Sequence, residues 1–216
     1  MIIVNFKNYK FGKEALVLVE LVEKYLGKNA SVSLSSFDIS LASEKFKKLG
    51  IYAQHIDAVI IGRNTGFLSI EGAKKAGAIG SLLNHSEHTL PLDYIKKNVE
   101  LANKNNFKII LCASTLKQAK EFVKLKPFGI AYEDPELVGS GRSITNYNQK
   151  EIIDFVSMLK GKNIKNICGA GVSSAEDVKM AFKLGCVGVL ISSAIANVSL
   201  KDAEKLLKEI ANSRIM

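Results

Sequence analysis

Two hydrophobic patterns alternate along the chain. Short β-branched runs at 2–6, 31–35, 51–54, 79–83, 107–112, 128–132, 164–168 and 187–191 each read as a strand. Between and after them, apolar residues recur at i, i+3, i+4, i+7 and i+8, the spacing of one helix face. Leu18, Leu21, Val22, Tyr25 and Leu26 fill that template, as do Ala203, Leu206, Leu207, Ile210 and Ala211. Ile152, Phe155, Val156 and Leu159 fill its first four places, and weaker versions run over 38–49, 69–76, 92–102, 116–123 and 175–184. Thr115 and Ser174 suit N-caps, "SSAE" from Ser173 reads as a capping box, and Gly27, Gly50, Gly77 and Gly185 sit where helices should stop.

Strands that alternate with helices imply a parallel sheet with right-handed crossovers. Eight such units in 216 residues, each strand apolar on both faces, point to an α/β fold closed as a (β/α)8 barrel. The rival is an open doubly wound sheet, which usually carries a glycine-rich turn after its first strand. Here that turn is "NFKNYKFG", with no G-x-G-x-x-G. Nothing resembles a linker or a second hydrophobic unit, so one catalytic domain over 1–216 is expected.

Composition narrows the function. The longest apolar runs, such as "VGVLISSAIANVSL", contain serines and an asparagine and fall short of the roughly 18–20 apolar residues of a membrane span. "MIIVNFKNYK" goes straight into an apolar run without a basic lead or a cleavage site, so a cytoplasmic location is expected. Cys112, Cys168 and Cys186 form neither a disulfide framework nor a metal-ligand cluster and read as buried thiols. The net charge of +9 raises the question of nucleic acid. Of the 30 basic residues only Arg63, Arg142 and Arg214 are arginines, and the lysines are dispersed, which argues against it and leaves an anionic small substrate open.

In a barrel, chemistry belongs at the C-terminal strand ends. In "VNFKNYK" Asn5 and Lys7 alternate with Phe6 and share one side, so Lys7 either offers charge to an anionic ligand or snorkels at the surface. "LLNHSEHT" puts His85 at the end of the fourth strand. There a following helix dipole would favour the neutral imidazole as a hydrogen-bond donor, the alternative being a capping or core histidine; His55 and His88 end no strand as cleanly. Glu133 closes the sixth strand beside Ala131, Tyr132 and Pro135, where partial withdrawal from water suits a general base. The bland reading is an acidic pair capping the next turn. After it, Leu137 and Val138 between Pro135 and "GSG" form a segment able to fold over a ligand. "CGAGVS" and "ISSA" supply Gly169, Gly171, Ser192 and Ser193, whose amides suit a phosphate, although turn glycines alone would explain part of that pattern. The set contains no nucleophile–base pair, metal cage or cofactor fingerprint, so neither metal nor cofactor is expected. It suits proton abstraction beside a carbonyl of a small phosphorylated substrate.

These residues resemble the triosephosphate isomerase family, in its short archaeal-type form, over the whole chain: "NFK", "NHSE", "AYEDPELVGSG", "CGAGVS" and "GVLISSA" fall at five strand ends in the family's order. The pairing of a glutamate base with a neutral histidine electrophile is the well-known property of that family rather than a reading of these residues. The resemblance implies Glu133 as the base between C1 and C2, His85 as the electrophile, Lys7 as the cation and Asn5 as its positioner, with Glu87 in support. It also implies a phosphate held by amides around Val138, Gly139, Gly171, Ser192 and Ser193, in an enzyme of glycolysis and gluconeogenesis. "GRNTGFLS" is similar to the family's intersubunit loop, with Thr65 near its tip, so a homodimer or homotetramer is implied. Three departures stand out. Asp134 replaces a proline, which should loosen the hinge or set a like charge beside the base. Ser192-Ser193 replaces Gly-Gly or Ala-Ser, bringing a Cβ toward the phosphate. "EHT" replaces Glu-Arg-Arg.

Overall fold

The apolar runs pair side by side, all parallel and in sequence order, and the last closes on the first to make an eight-stranded barrel. The computed structural model describes residues 1–134, 137, 145 and 148–213. The strands are β1 Ile2–Asn5, β2 Ala30–Leu34, β3 Gly50–Ala53, β4 Gly80–Leu83, β5 Lys108–Ala113, β6 Gly129–Tyr132, β7 Lys165–Cys168 and β8 Gly188–Ile191. The described helices are α1 Gly12–Leu26, α2 Ile39–Lys45, α3 Ile70–Lys75, α4 Leu92–Lys104, α5 Leu116–Val123, α6 Gln149–Leu159, α7 Ala175–Lys183, α8 Ser193–Ala196 and α9 Leu200–Asn212. Among the described residues no helix is long and apolar enough to cross a membrane.

Strand alternation splits the core in two. Ile3, Tyr52, Leu82, Ile110, Ala131 and Ile167 fill the barrel interior, while Ile2, Val4, Val32, Leu111 and Val189 face the helices. The strands read as continuous apolar runs because both faces are buried. Gly80 is needed inside: a Cβ there would lie 2.5 Å from the Tyr52 ring and 2.2 Å from the Lys108 carbonyl oxygen. The helices dock through the faces their spacing predicts, α9 through Ala203, Leu207 and Ile210, and α6 through Ile152, Phe155 and Leu159.

The structure differs from expectation in four places. Helix α2 ends at Lys45 rather than near residue 49, because Phe46 leaves helical geometry and turns into the core with Leu49. Gly50 opens β3 instead of ending a helix; a Cβ there would meet the Ser31 hydroxyl at 2.7 Å. The capping box lies one residue later than "SSAE": Ser174 accepts from the Asp177 amide, and Asp177 accepts from the Ser174 amide and also from Ser173. Helix α8, four residues directly after β8, carries too few positions to show a period.

Candidate active site

The site is built where side chains cease to be apolar, at the C-terminal rim. Three non-glycine residues with left-handed backbone stand at the ends of β1, β4 and β7: Lys7 (φ 43°), Asn84 (φ 60°) and Ala170 (φ 67°). Such a conformation costs an L-residue about 1–2 kcal/mol and persists only where surrounding contacts fix it. For Lys7 those contacts are explicit: its amide donates to Asn5 Oδ1 at 3.0 Å, and its carbonyl accepts from Gln54 Nε2 at 2.8 Å. The Lys7 side chain is only 12% exposed and ends on Glu87 Oε1 at 2.8 Å, so it does not snorkel outward.

His85 is buried. The Glu87 amide donates to His85 Nδ1 at 3.2 Å, which makes Nδ1 an acceptor and leaves the ring proton on Nε2. Nε2 faces Glu133 Oε2 at 3.6 Å. The expected helix N-terminus at His85 is corrected: α4 begins only at Leu92, and residues 85–88 form a turn closed by His88 N to His85 O. A local amide, not a helix dipole, sets the tautomer. Asn84 holds that turn in place, donating from Nδ2 to the Cys112 carbonyl at 2.9 Å and accepting the Leu90 amide on Oδ1 at 2.9 Å.

Glu133 is 5% exposed and its Oε1 is buried without a hydrogen-bond partner, an arrangement that is costly unless a ligand or water completes it. It does not cap a turn. Its position depends on Gly169, whose Cβ, if present, would lie 2.5 Å from Glu133 Cγ and 3.0 Å from Cδ. Gly169 therefore makes room for the carboxylate, a role the sequence pattern assigned to ligand approach. Accordingly Gly169→Ala should cut kcat by about 10-fold or more through displacement of Glu133 while the barrel still melts cooperatively, which steady-state kinetics and a thermal melt would check. Burial, together with the adjacent Glu133 carboxylate, pushes the Cys112 thiol far up, so it lies beneath the site as a neutral group.

After β7 the chain turns through Ala170 and Gly171, both left-handed, and after β8 it enters α8. The leading amides of a helix have no acceptor within it, so those of Ser193 and Ala194 are available to an anion. The Ser192 hydroxyl donates to the Asn5 carbonyl at 2.8 Å, which ties β8 to β1 and occupies the extra Cβ of the Ser-Ser pair with a structural bond. Two adjoining cavities, of about 470 and 40 Å³, share Asn5, Lys7 and His85. The smaller is walled by Glu133, Gly171, Ser192 and Ser193, so these come together with Asn5, Lys7 and His85; Gly169 lines neither cavity and lies behind Glu133, and Val138 and Gly139 lie outside the described residues. Among the described residues no group of three or more His, Cys, Asp or Glu side chains is placed to hold a metal ion.

Sequence reasoning missed Asn84, Gln54 and the packing of His55 on His88, whose rings stack at 4.5 Å beside the larger cavity. Only Asn84 carried a signal, since asparagine tolerates the left-handed region. His55 Nε2 lies 3.1 Å from Asp57 Oδ1, which also accepts from the Tyr94 hydroxyl at 2.6 Å. Burial pushes His55 below its ordinary value of 6.5, with His88 adding to the effect and Asp57 opposing it. Burial alone would raise Asp57, but hydrogen bonds from Tyr94, Leu68 and His55 outweigh it and hold the carboxyl low. Below pH 6.5 the unfolded chain takes up a proton that folded His55 resists, so acid removes stability; Asp57 adds a second loss only below about pH 4. Thermal melts should show Tm falling more steeply between about pH 7 and 5.5 for the wild type than for His55→Gln. Parallel slopes would contradict the sign.

A model of the triosephosphate isomerase family matches residues 1–212. Triosephosphate isomerase of Methanothermus fervidus is 37% identical over 217 aligned positions, covering 97% of this chain and 96% of the relative. That of Thermoplasma volcanium is 35% identical, covering 90% and 92%, and that of Saccharolobus solfataricus 35%, covering 100% and 96%. With strand ends, cavity and whole-chain similarity in agreement, the chain belongs to the triosephosphate isomerase family.

Proposed function

We propose that Glu133 is the base, His85 the electrophile and Lys7 the cation in this chain's isomerisation of dihydroxyacetone phosphate to glyceraldehyde 3-phosphate. The observation that carries the assignment is the buried, unpartnered Oε1 of Glu133 with His85 Nε2 3.6 Å from its Oε2, at a cavity also lined by Gly171, Ser192 and Ser193. Glu133 takes a proton from C1 of the ketone, and the electron pair moves to form the enediolate. His85 donates from Nε2 to the developing oxyanion and carries the proton between the two oxygens. Glu133 then returns its proton to C2. Lys7 offsets the negative charge that accumulates, and Asn5 holds Lys7 in its left-handed conformation through the 3.0 Å bond to its amide. Amides at Gly171, Ser192 and Ser193, and in this reading at Val138 and Gly139, hold the phosphate.

The same reading treats 1–216 as one catalytic domain that serves glycolysis and gluconeogenesis without cofactor or metal, in the cytoplasm, where the buried thiols Cys112, Cys168 and Cys186 would stay reduced. It also includes self-association as a homodimer or homotetramer through the Thr65 loop. Exposed Ile60, Ile61 and Phe67 around Thr65 support this; a solution mass equal to one chain would contradict it. A coupled isomerase assay on purified protein, with Glu133→Gln alongside, tests the assignment.

A further inference from the structure

Alternation along β6 and its extension puts Tyr132 and Asp134 on one side of the chain and Glu133 on the other. Glu133 faces the cavity. Its two neighbours face α6, and both are fastened there. The Tyr132 hydroxyl donates to the Glu151 carboxylate, and Asn148 Nδ2 donates to Asp134 Oδ2 at 2.7 Å. Asn148 occupies the N-cap position of α6 and Glu151 its first turn, so the two bonds reach the same end of one helix. Asn148 makes no capping bond with its side chain, although asparagine is among the preferred caps; its amide is turned to Asp134 instead. The Tyr132 ring adds a third contact, packing on Phe155 of α6 at 5.5 Å between centroids, and Phe155 is itself fully buried.

These contacts give Asp134 a different role from the one its sequence position suggests. The carboxylate is turned away from the base rather than toward it, and it ties the chain immediately before 135–147 to the residue immediately after it. Glu133 is thus the inward residue of a three-residue stretch whose outward residues are both anchored, with Gly169 limiting the space on its inner side.

We infer that Asp134 and Asn148 are positioning residues, which hold the Glu133 backbone against α6 so that its carboxylate meets the substrate carbon at the correct distance; this rests on Glu133 being the base. Proton abstraction is steep in geometry, and a displacement of about 1 Å can cost on the order of 10²-fold in rate. The bond acts through a shared pair, so once Asp134 is truncated, removing Asn148 as well should cost nothing further.

The test is steady-state kinetics on the full chain. Asn148→Ala and Asp134→Ala should each lower kcat by about 10-fold or more with KM changed less than about 2-fold, and the double variant should be no slower than Asp134→Ala. Asp134→Asn, which keeps a carbonyl acceptor for Asn148 Nδ2, should recover most of kcat. A merely structural bond would lower Tm and leave kcat at room temperature unchanged. An unaltered kcat in Asn148→Ala, or a fall in Asp134→Asn as deep as in Asp134→Ala, overturns the proposal. Glu133→Gln run in parallel separates the two claims. If it is inactive while Asn148→Ala is unimpaired, only the positioning role fails; if it keeps wild-type turnover, the base assignment fails and the proposal with it.

Discussion

Glu133→Gln should lower kcat by about 10²–10⁴ while the barrel stays folded and its melting temperature does not fall. The size follows from what the substitution removes. Glutamine nearly matches glutamate in shape and can fill the space that Gly169 leaves, but its amide cannot accept the substrate proton. Stability should not suffer, because the wild-type carboxylate is a burden to the folded chain: it is 5% exposed and Oε1 has no partner. Glutamine leaves one buried polar group where there was one before, so Tm should change little while activity is lost. Fluorescence or calorimetric melts beside the coupled assay read both. A variant that lost activity together with cooperative unfolding would leave the fold, not the base, as the explanation.

His85→Gln carries the second-largest effect, a fall in kcat of about 10²–10³, the range found when one preorganised donor to an oxyanion is removed. The direction of the His85 ring proton sets this effect. The Glu87 amide occupies Nδ1, so the ring presents Nε2–H to the space beside Glu133 Oε2. Glutamine can point an N–H in the same direction, yet a carboxamide N–H is too weakly acidic to give its proton to one substrate oxygen and take back the proton of the other, as Nε2 does. Binding should suffer less than turnover, since the proposed phosphate site lies on other elements, around Gly171 and Ser193. A kcat lowered with KM nearly constant is therefore expected, and the reverse split would mean that His85 serves binding.

The barrel was legible because parallel strands buried on both faces read as apolar runs, and the eight runs lie within a residue or two of the observed strands. The site was legible for a related reason: Asn5, Lys7, His85 and Glu133 are polar residues at the ends of apolar runs, and the barrel brings all such ends to one rim. What escaped was everything that depends on contacts between strands and their neighbours. Asn84 reaches the Cys112 carbonyl 28 residues away, Gln54 the Lys7 carbonyl 47 residues away, and neither bond leaves a mark on local spacing. Gly169 looked like a ligand-facing glycine because its need for a missing Cβ appears only once Glu133 lies across from it. Asp134 looked like a liability beside the base because the direction of its carboxylate, and Asn148 to receive it, exist only in the folded chain.

Catalysis here requires Glu133, His85 and the phosphate amides to meet around one substrate, and a structure determined with a three-carbon phosphate ester bound tests that most directly. The phosphate should lie within hydrogen-bond distance of amides at Gly171 and Ser193, with the carbonyl oxygen on His85 Nε2 and the adjacent carbon facing Glu133 Oε1. A phosphate seated elsewhere, or a substrate carbon turned away from Glu133, would contradict it.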